Sequence, residues 1–456
     1  MKEEKISTAN ELYHGPIIKK ILMFAVPLML TGLLQLLYTA VDMVVVGRFA
    51  GKEALSAVGS TNALINLFIN VFNGLSLGAS VVASRYFGSE DKEGLSQTVH
   101  TAIALSIFAG FILTIVGWVF ARPMLVLMDT PLDVIEGSVL YLKIFFSGMI
   151  FNMGYNYGSA LLRAVGDTKR PLKFLTIAGI INVVLNLIFV IVFNMGVAGV
   201  GFATIISQAV SMFLVFKCLI LGDTAVKLEP KKIRFHKDKM IMLIKFGLPA
   251  GIQGCLFSLS NVLIQSSVNF FGTVVMAGNT ASNSVETFLY IAVNSLNQSN
   301  ITFYSQNVGA KKYSRLRKGF ACCVGLVLVI NFFISTTFIM FSETFIGLYT
   351  NELDVLEYGV LRLSFMASFN FVCALMHIGA GQLQAMGRSM LAMIITLLGV
   401  CVIRIAWVYT IFEMYKTIQT IYICFPITWG LTAFCHMCCV FYFFRKVPKV
   451  DEPLES

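Results

Sequence analysis

Charged side chains are scarce in this sequence: 13% of its residues, where a soluble domain carries about 25%. A chain with so little polar surface cannot cover itself in water, which excludes an ordinary soluble enzyme or binding module. No G-x-x-x-x-G-K-[ST] run occurs, so ATP hydrolysis by this chain is unsupported. The five His residues (His14, His100, His236, His377, His436) fall at no ligand spacing. The clustered acids and imidazoles of a membrane-embedded transferase are missing too, so no enzyme is expected. A cleavable leader is not visible: the first sixteen residues are polar, and the apolar run after Lys19 and Lys20 is too long for one. The ten cysteines lie almost wholly inside apolar runs, where a thiol acts as a small hydrophobe, so no disulfide framework is expected. The group Cys435, His436, Cys438, Cys439 falls under the same reading, and no metal or cofactor is expected.

What the chain has instead is apolar length. Hydrophobic residues make up 57% of it and the mean hydropathy is +0.80. A bilayer interior takes roughly 20 apolar residues per helical span. Continuous rather than alternating runs point to helices, not a barrel. Twelve spans are predicted: residues 17–221 hold six, 241–444 hold six, and the stretch 222–240 is a polar linker. Residues 1–16 and 445–456 are short polar ends. Of the 34 Lys and Arg, 27 fall on the side of the termini and linker, whereas only Arg48, Lys52, Arg122 and Lys416 fall on the other. Positive loops stay cytoplasmic, so both termini are predicted inside the cell membrane. The net charge of +10 therefore reflects topology, and no nucleic-acid partner is expected.

The two halves repeat each other. Pro27 matches Pro249 at an offset of 222 residues. Tyr86-Phe87-Gly88-Ser89 matches Asn307-Val308-Gly309-Ala310, and Leu162-Arg163-Ala164-Val165-Gly166 matches Leu383-Gln384-Ala385-Met386-Gly387, both at 221. Six spans per repeat make the repeats parallel, an arrangement that transporters use to build a substrate cleft between two bundles.

Polar groups inside spans are costly and mark function or pairing. Gln35, Tyr38 and Asp42 share one face of the first span, with Asp42 either functional or paired with Arg48. Asn62, Asn66, Asn70 and Asn73 line one face of the second span, and Asn182, Asn186 and Thr204 add polar groups in the fifth and sixth. Singly, each Asn reads as interhelical glue; together the stripe reads as a cavity lining. In the second half Glu286 lies mid-span among Asn279, Asn283, Tyr290, Asn294 and Asn297. A carboxylate there is neutral, ion-binding or paired, with Arg404 the expected partner. Lys143 and Arg362 are expected to snorkel toward the interface. Pro27 and Pro249, inside spans one and seven, are candidate kinks, and Pro27 a candidate hinge.

The run Pro27-Leu28-Met29 with Val41-Asp42-Met43-Val44-Val45-Val46-Gly47-Arg48 resembles the first span of multidrug and toxic compound extrusion (MATE) transporters. The stretches Leu162 to Pro171 and Gln306-Asn307-Val308-Gly309-Ala310 are similar to that family's loops after spans four and eight. The likeness runs from about residue 14 to 445 and implies an all-α, V-shaped, two-lobed exporter of prokaryotic type, working as a monomer among membrane lipids. It implies small organic cations or amphipathic drugs as cargo, exchanged for H⁺ or Na⁺. By motif position Asp42 would be the coupling carboxylate, with Gln35, Tyr38, Asn182, Asn186 and Thr204 around it and Pro27 as the bend. Some members carry Asp where this chain has Asn186, which leaves Asp42 as the sole acid of that site. A lipid-linked oligosaccharide flippase of the same superfamily is the alternative. Such a flippase would want a cationic cavity, whereas the stripes here are amide and acidic.

Overall fold

The computed structural model describes residues 11–128, 130–448 and 450–453, leaving aside the side chains of Lys52, Leu55, Asn62, Ala63, Leu132 and Asp133. Among the described residues the chain forms twelve transmembrane helices, six per repeat. The first repeat holds α1 (Ile17–Val45), α2 (Gly51–Gly88), α3 (Lys92–Leu127), α4 (Leu132–Ser147) with α5 (Met149–Ala164), α6 (Lys169–Leu187) and α7 (Gly196–Leu221). The second holds α8 (Lys237–Asn269), α9 (Thr273–Gly309), α10 (Tyr313–Met340), the short α11 (Ser342–Gly347), α12 (Leu353–Ala385), α13 (Ser389–Tyr415) and α14 (Ile418–Phe444). Ten of these are apolar and long enough to cross a bilayer outright. The eleventh crossing is α4 and α5 together, bent by 47° at Gly148. The twelfth is α9, 37 residues long, whose run of Asn and Ser depresses its hydropathy.

Lipid explains the surface. In the most apolar stretch of each outright span only 22% to 50% of residues are buried. Side chains such as Phe111, Phe213, Phe332 and Phe333 stand exposed, which is a stable state only against hydrocarbon. Helix ends outside the bilayer are capped in the ordinary way. Asp91 accepts the Gly94 amide at 2.8 Å at the start of α3, and Thr417 accepts that of Thr420 at 3.3 Å at the start of α14.

The chain divides into two compact units whose borders do not follow the repeat. One runs from Leu30 to Leu248; the other takes Leu12–Met29 together with the chain from Pro249 onward. Each repeat's first helix is thus shared, and the changeovers fall beside Pro27 and at Pro249, where a missing backbone N–H permits a kink. In the first unit, α8 enters with Lys239, whose ammonium donates to the Tyr86 hydroxyl at 2.6 Å and lies 3.9 Å from the Tyr86 ring centroid. Gly247 packs so tightly on Gly78 that a Cβ on Gly78 would come 2.4 Å from the Leu243 carbonyl oxygen. In the second unit the segment before α1 is tied down by backbone bonds. Leu12 N–H donates to Gln306 Oε1 at 2.9 Å, and Arg315 donates to the Gly15 carbonyl at 2.8 Å.

The cluster at the chain's end resolves into packing. His436 is buried, with ring nitrogens 3.2 Å from the Met376 carbonyl and 3.4 Å from that of Ala392, whereas Cys435 and Cys438 face outward.

Candidate functional site

A polar pocket is found in each unit. In the first unit a cavity of about 510 Å³ is lined by Gln35, Tyr38 and Asp42 of α1, Asn66 and Asn73 of α2, Asn182 of α6 and Thr204 of α7. The i, i+3, i+7 face of α1 therefore does point at one space. Two local features aim the acid. A π-helical turn, Val46–Ala50, follows Asp42 on α1, and another, Ile188–Val192, follows Asn186 on α6. Such turns re-aim neighbouring side chains and recur at functional sites.

Asn186 is fully buried and donates its amide N–H to Asp42 Oδ1, and a second contact runs from the same amide to Asn182 Oδ1 at 3.2 Å. The donation places positive hydrogen on the carboxylate. Among the described residues no basic side chain lines the cavity, and Arg48 is exposed with no ion pair to Asp42, so the pairing weighed for it is not made. Tyr38 is held by its hydroxyl donating to the Leu175 carbonyl at 2.8 Å, and Thr204 turns its hydroxyl to the Val200 carbonyl at 2.9 Å. A carboxylate with one amide donor, in a recess whose other polar groups are amides and hydroxyls, is suited by charge to a cation or a proton.

The rest of the α2 stripe is mixed. Asn70 is half-buried and off the cavity wall, and the Asn62 side chain lies outside the described residues. The cavity also contains groups not expected from the sequence: Asn152 and Asn156 on α5, and Ser207, Gln208 and Ser211 on α7. Asn152 and Asn156 stand i, i+4 and are hydrogen-bonded to each other at 2.8 Å, the same spacing that singled out Asn182 and Asn186.

Tyr38 is seated by a glycine. A Cβ on Gly179 would come within 1.6 Å of the Tyr38 ring, closer than any atom can stand. Gly179→Ala is expected to push the phenol off the Leu175 carbonyl, at about 1 kcal/mol of stability for the lost hydrogen bond. Thermal unfolding of the purified variant measures this; a melting profile equal to wild type would mean that the glycine does not seat Tyr38.

The second unit's pocket, about 300 Å³, is lined by Asn279, Asn283, Glu286 and Tyr290 of α9, with Arg362 of α12 and the aromatic face of α14. Two expectations are corrected here. Glu286 pairs with Arg362, at 3.4 Å, and not with Arg404. Arg362 therefore does not snorkel: it is buried, and also donates to the Asn279 carbonyl and to Asn283 Oδ1, both at 2.6 Å. The reason is register, since Arg362 faces α9 across the α9–α12 contact while Arg404 on α13 lies against α8 and α14. Asn294, expected with the Glu286 face, is exposed and does not line this pocket.

Comparison with known proteins follows the same division. The MatE family model matches twice, over residues 27–188 and again over 249–410. The second match begins 222 residues after the first, the offset that separates Pro27 from Pro249. The chain is similar to the probable multidrug resistance protein YpnP of Bacillus subtilis, 26% identical over 87% of this chain and 88% of that one. It is also similar to YoeA of the same organism, named a probable multidrug resistance protein, at 29% over 73% and 74% of the two chains. Among solved structures, an outward-facing multidrug resistance MATE transporter of the MOP superfamily superposes with a TM-score of 0.90 at 20% identity, covering 97% of this chain and 99% of the other.

Proposed function

Since this chain belongs to the MatE family of membrane transporters, we propose that it is a secondary active antiporter exporting cationic or amphipathic small molecules across the cell membrane in exchange for H⁺ or Na⁺. Asp42 is the coupling carboxylate. The observation that carries this reading is the charge balance of the first pocket: among its described lining residues, one acid, no base, and amides and hydroxyls for the rest of the polar wall.

The coupling follows from that balance. A proton, Na⁺ and an organic cation compete for one negative charge, so entry of the ion from one side displaces the cargo toward the other. Asn186 orients the carboxylate in either state, and Gln35, Tyr38, Asn182 and Thr204 complete the polar shell. Pro27, beside the point where α1 passes from one unit to the other, is the hinge. The chain acts as a monomer, with both termini and the linker cytoplasmic, in keeping with the 27 basic residues on that side. The multidrug names of YpnP and YoeA support the cargo class.

Ethidium efflux from vesicles, driven separately by a pH gradient and by a Na⁺ gradient, tests the reading. Export driven by one gradient and not the other identifies the ion; no export with either overturns the proposal.

A further inference from the structure

The two pockets differ in charge: the first carries an acid on its wall, whereas the second has a balanced pair on its wall and a guanidinium behind it. In the second, Arg362 is committed to Glu286, which also accepts from the Ser282 hydroxyl at 2.7 Å. That pair is complete and neutral. A second guanidinium, Arg404, is fully buried and forms no ion pair among the described residues. Its Nη1 donates to Asn261 Oδ1 at 2.9 Å and to the Ser260 hydroxyl at 3.2 Å, and its Nε to the Thr428 hydroxyl at 3.3 Å. Its Nη2 has no hydrogen-bond partner. The Phe425 ring lies 4.5 Å from the guanidinium carbon. Asn261 and Phe425 both line the pocket, so the charge sits directly behind its wall.

The lining itself repeats the imbalance. Trp429 Nε1, which can only donate, and the Tyr422 hydroxyl are both buried on the pocket wall, and neither has a partner among the described residues. Against these three unpartnered donors stand, among the buried atoms of the described residues on the wall, Asn279 Oδ1 and the accepting side of the Tyr422 hydroxyl. An unpaired charge and unpaired donors in a low-dielectric interior are unfavourable until an acceptor with negative charge arrives. A guanidinium edge with an indole N–H and a phenol is a receptor for a planar or tetrahedral oxyanion. The rings of Tyr290, Tyr422, Phe425 and Trp429 would flank an aromatic body attached to it.

We propose that the second unit binds the carboxylate or phosphate of an aromatic organic molecule, with Arg404, Trp429 and Tyr422 as its recognition residues. This goes beyond the cation site at Asp42 and does not rest on it. The two pockets would then recognise opposite charges.

Rhodamine 110 and its methyl ester rhodamine 123 differ only in whether the carboxylate is free, and so isolate the effect. Fluorescence anisotropy with the purified full chain is expected to show rhodamine 110 bound about tenfold tighter, the worth of a charge-assisted hydrogen bond in a buried site. Arg404→Gln should abolish the preference, and Trp429→Phe and Tyr422→Phe, which remove donors without changing charge, should each reduce it. Size-exclusion profiles establish that each variant is folded. Displacement of rhodamine 110 by benzoate or by phenyl phosphate tells which oxyanion is preferred. Equal binding of the two dyes, a preference that survives Arg404→Gln, or displacement by neither competitor overturns the proposal. Because the readout is binding, failure of the export reading would leave this result standing.

Discussion

Vesicles carrying Asp42→Asn will retain ethidium at the level of vesicles without transporter, while the variant melts within error of the wild type. The substitution keeps volume and shape and removes only charge. Asn186 can still donate to the oxygen at position 42, so no buried donor is stranded and folding is expected to be intact. What is lost is the attraction for a cation in a recess with no other acid among its described lining residues. Removing one partner of a buried charge pair costs about 2–5 kcal/mol of binding, which is roughly thirtyfold to several thousandfold in affinity. The same variant should lose its response to the coupling ion, because ion and cargo use one charge. Undiminished efflux in Asp42→Asn would sink both assignments together. Loss of efflux with a collapsed melting profile would make Asp42 a structural residue.

The second large effect is on stability, in the other unit. Arg362→Met leaves Glu286, whose side chain is 7% exposed, with Ser282 as its remaining hydrogen-bond donor. Breaking a buried pair from one side costs about 3–5 kcal/mol, because the surviving charge is uncompensated. The Asn279 carbonyl and Asn283 amide lose a donor in the same change. The double variant Arg362→Met, Glu286→Leu should recover most of the loss, since a well-packed apolar pair replaces the ionic one at little net cost. Thermal unfolding in detergent of the singles and the double measures the coupling. A single variant as stable as wild type would mean that Glu286 carries a proton and needs no partner.

How much of this could be read from residues alone depends on whether the signal lies within one helix. Gln35, Tyr38 and Asp42 share a face by helical arithmetic, and the face does line a pocket. Asn182 and Asn186 are legible for the same reason. Asn152 and Asn156 carry the same spacing on α5, and attention to it would have placed them beside the others. What lies between helices was not legible. Arg362 and Arg404 both lie inside spans of the repeat that holds Glu286, and choosing Arg362 over Arg404 requires the rotational setting of α12 against α9, which no single-helix pattern encodes. The break between α4 and α5 at Gly148 is of the same kind. Glycine recurs within these spans without breaking them, as at Gly110 in α3, which lies flush on Ile150. The MATE-like motifs were legible because they combine a membrane-embedded acid with loop signatures at fixed intervals from it.

The sharing of α1 and α8 between units also sets an order of assembly. Leu12 bonds to Gln306, 294 residues later in the chain. At ribosomal rates of about 5–20 residues per second, the start of the first helix waits some fifteen seconds or more for its partner to be made. The first unit is likewise incomplete when its own repeat ends at Leu221, because Lys239 and Gly247 have still to arrive. Neither repeat can therefore finish folding as it emerges, although each carries six helices.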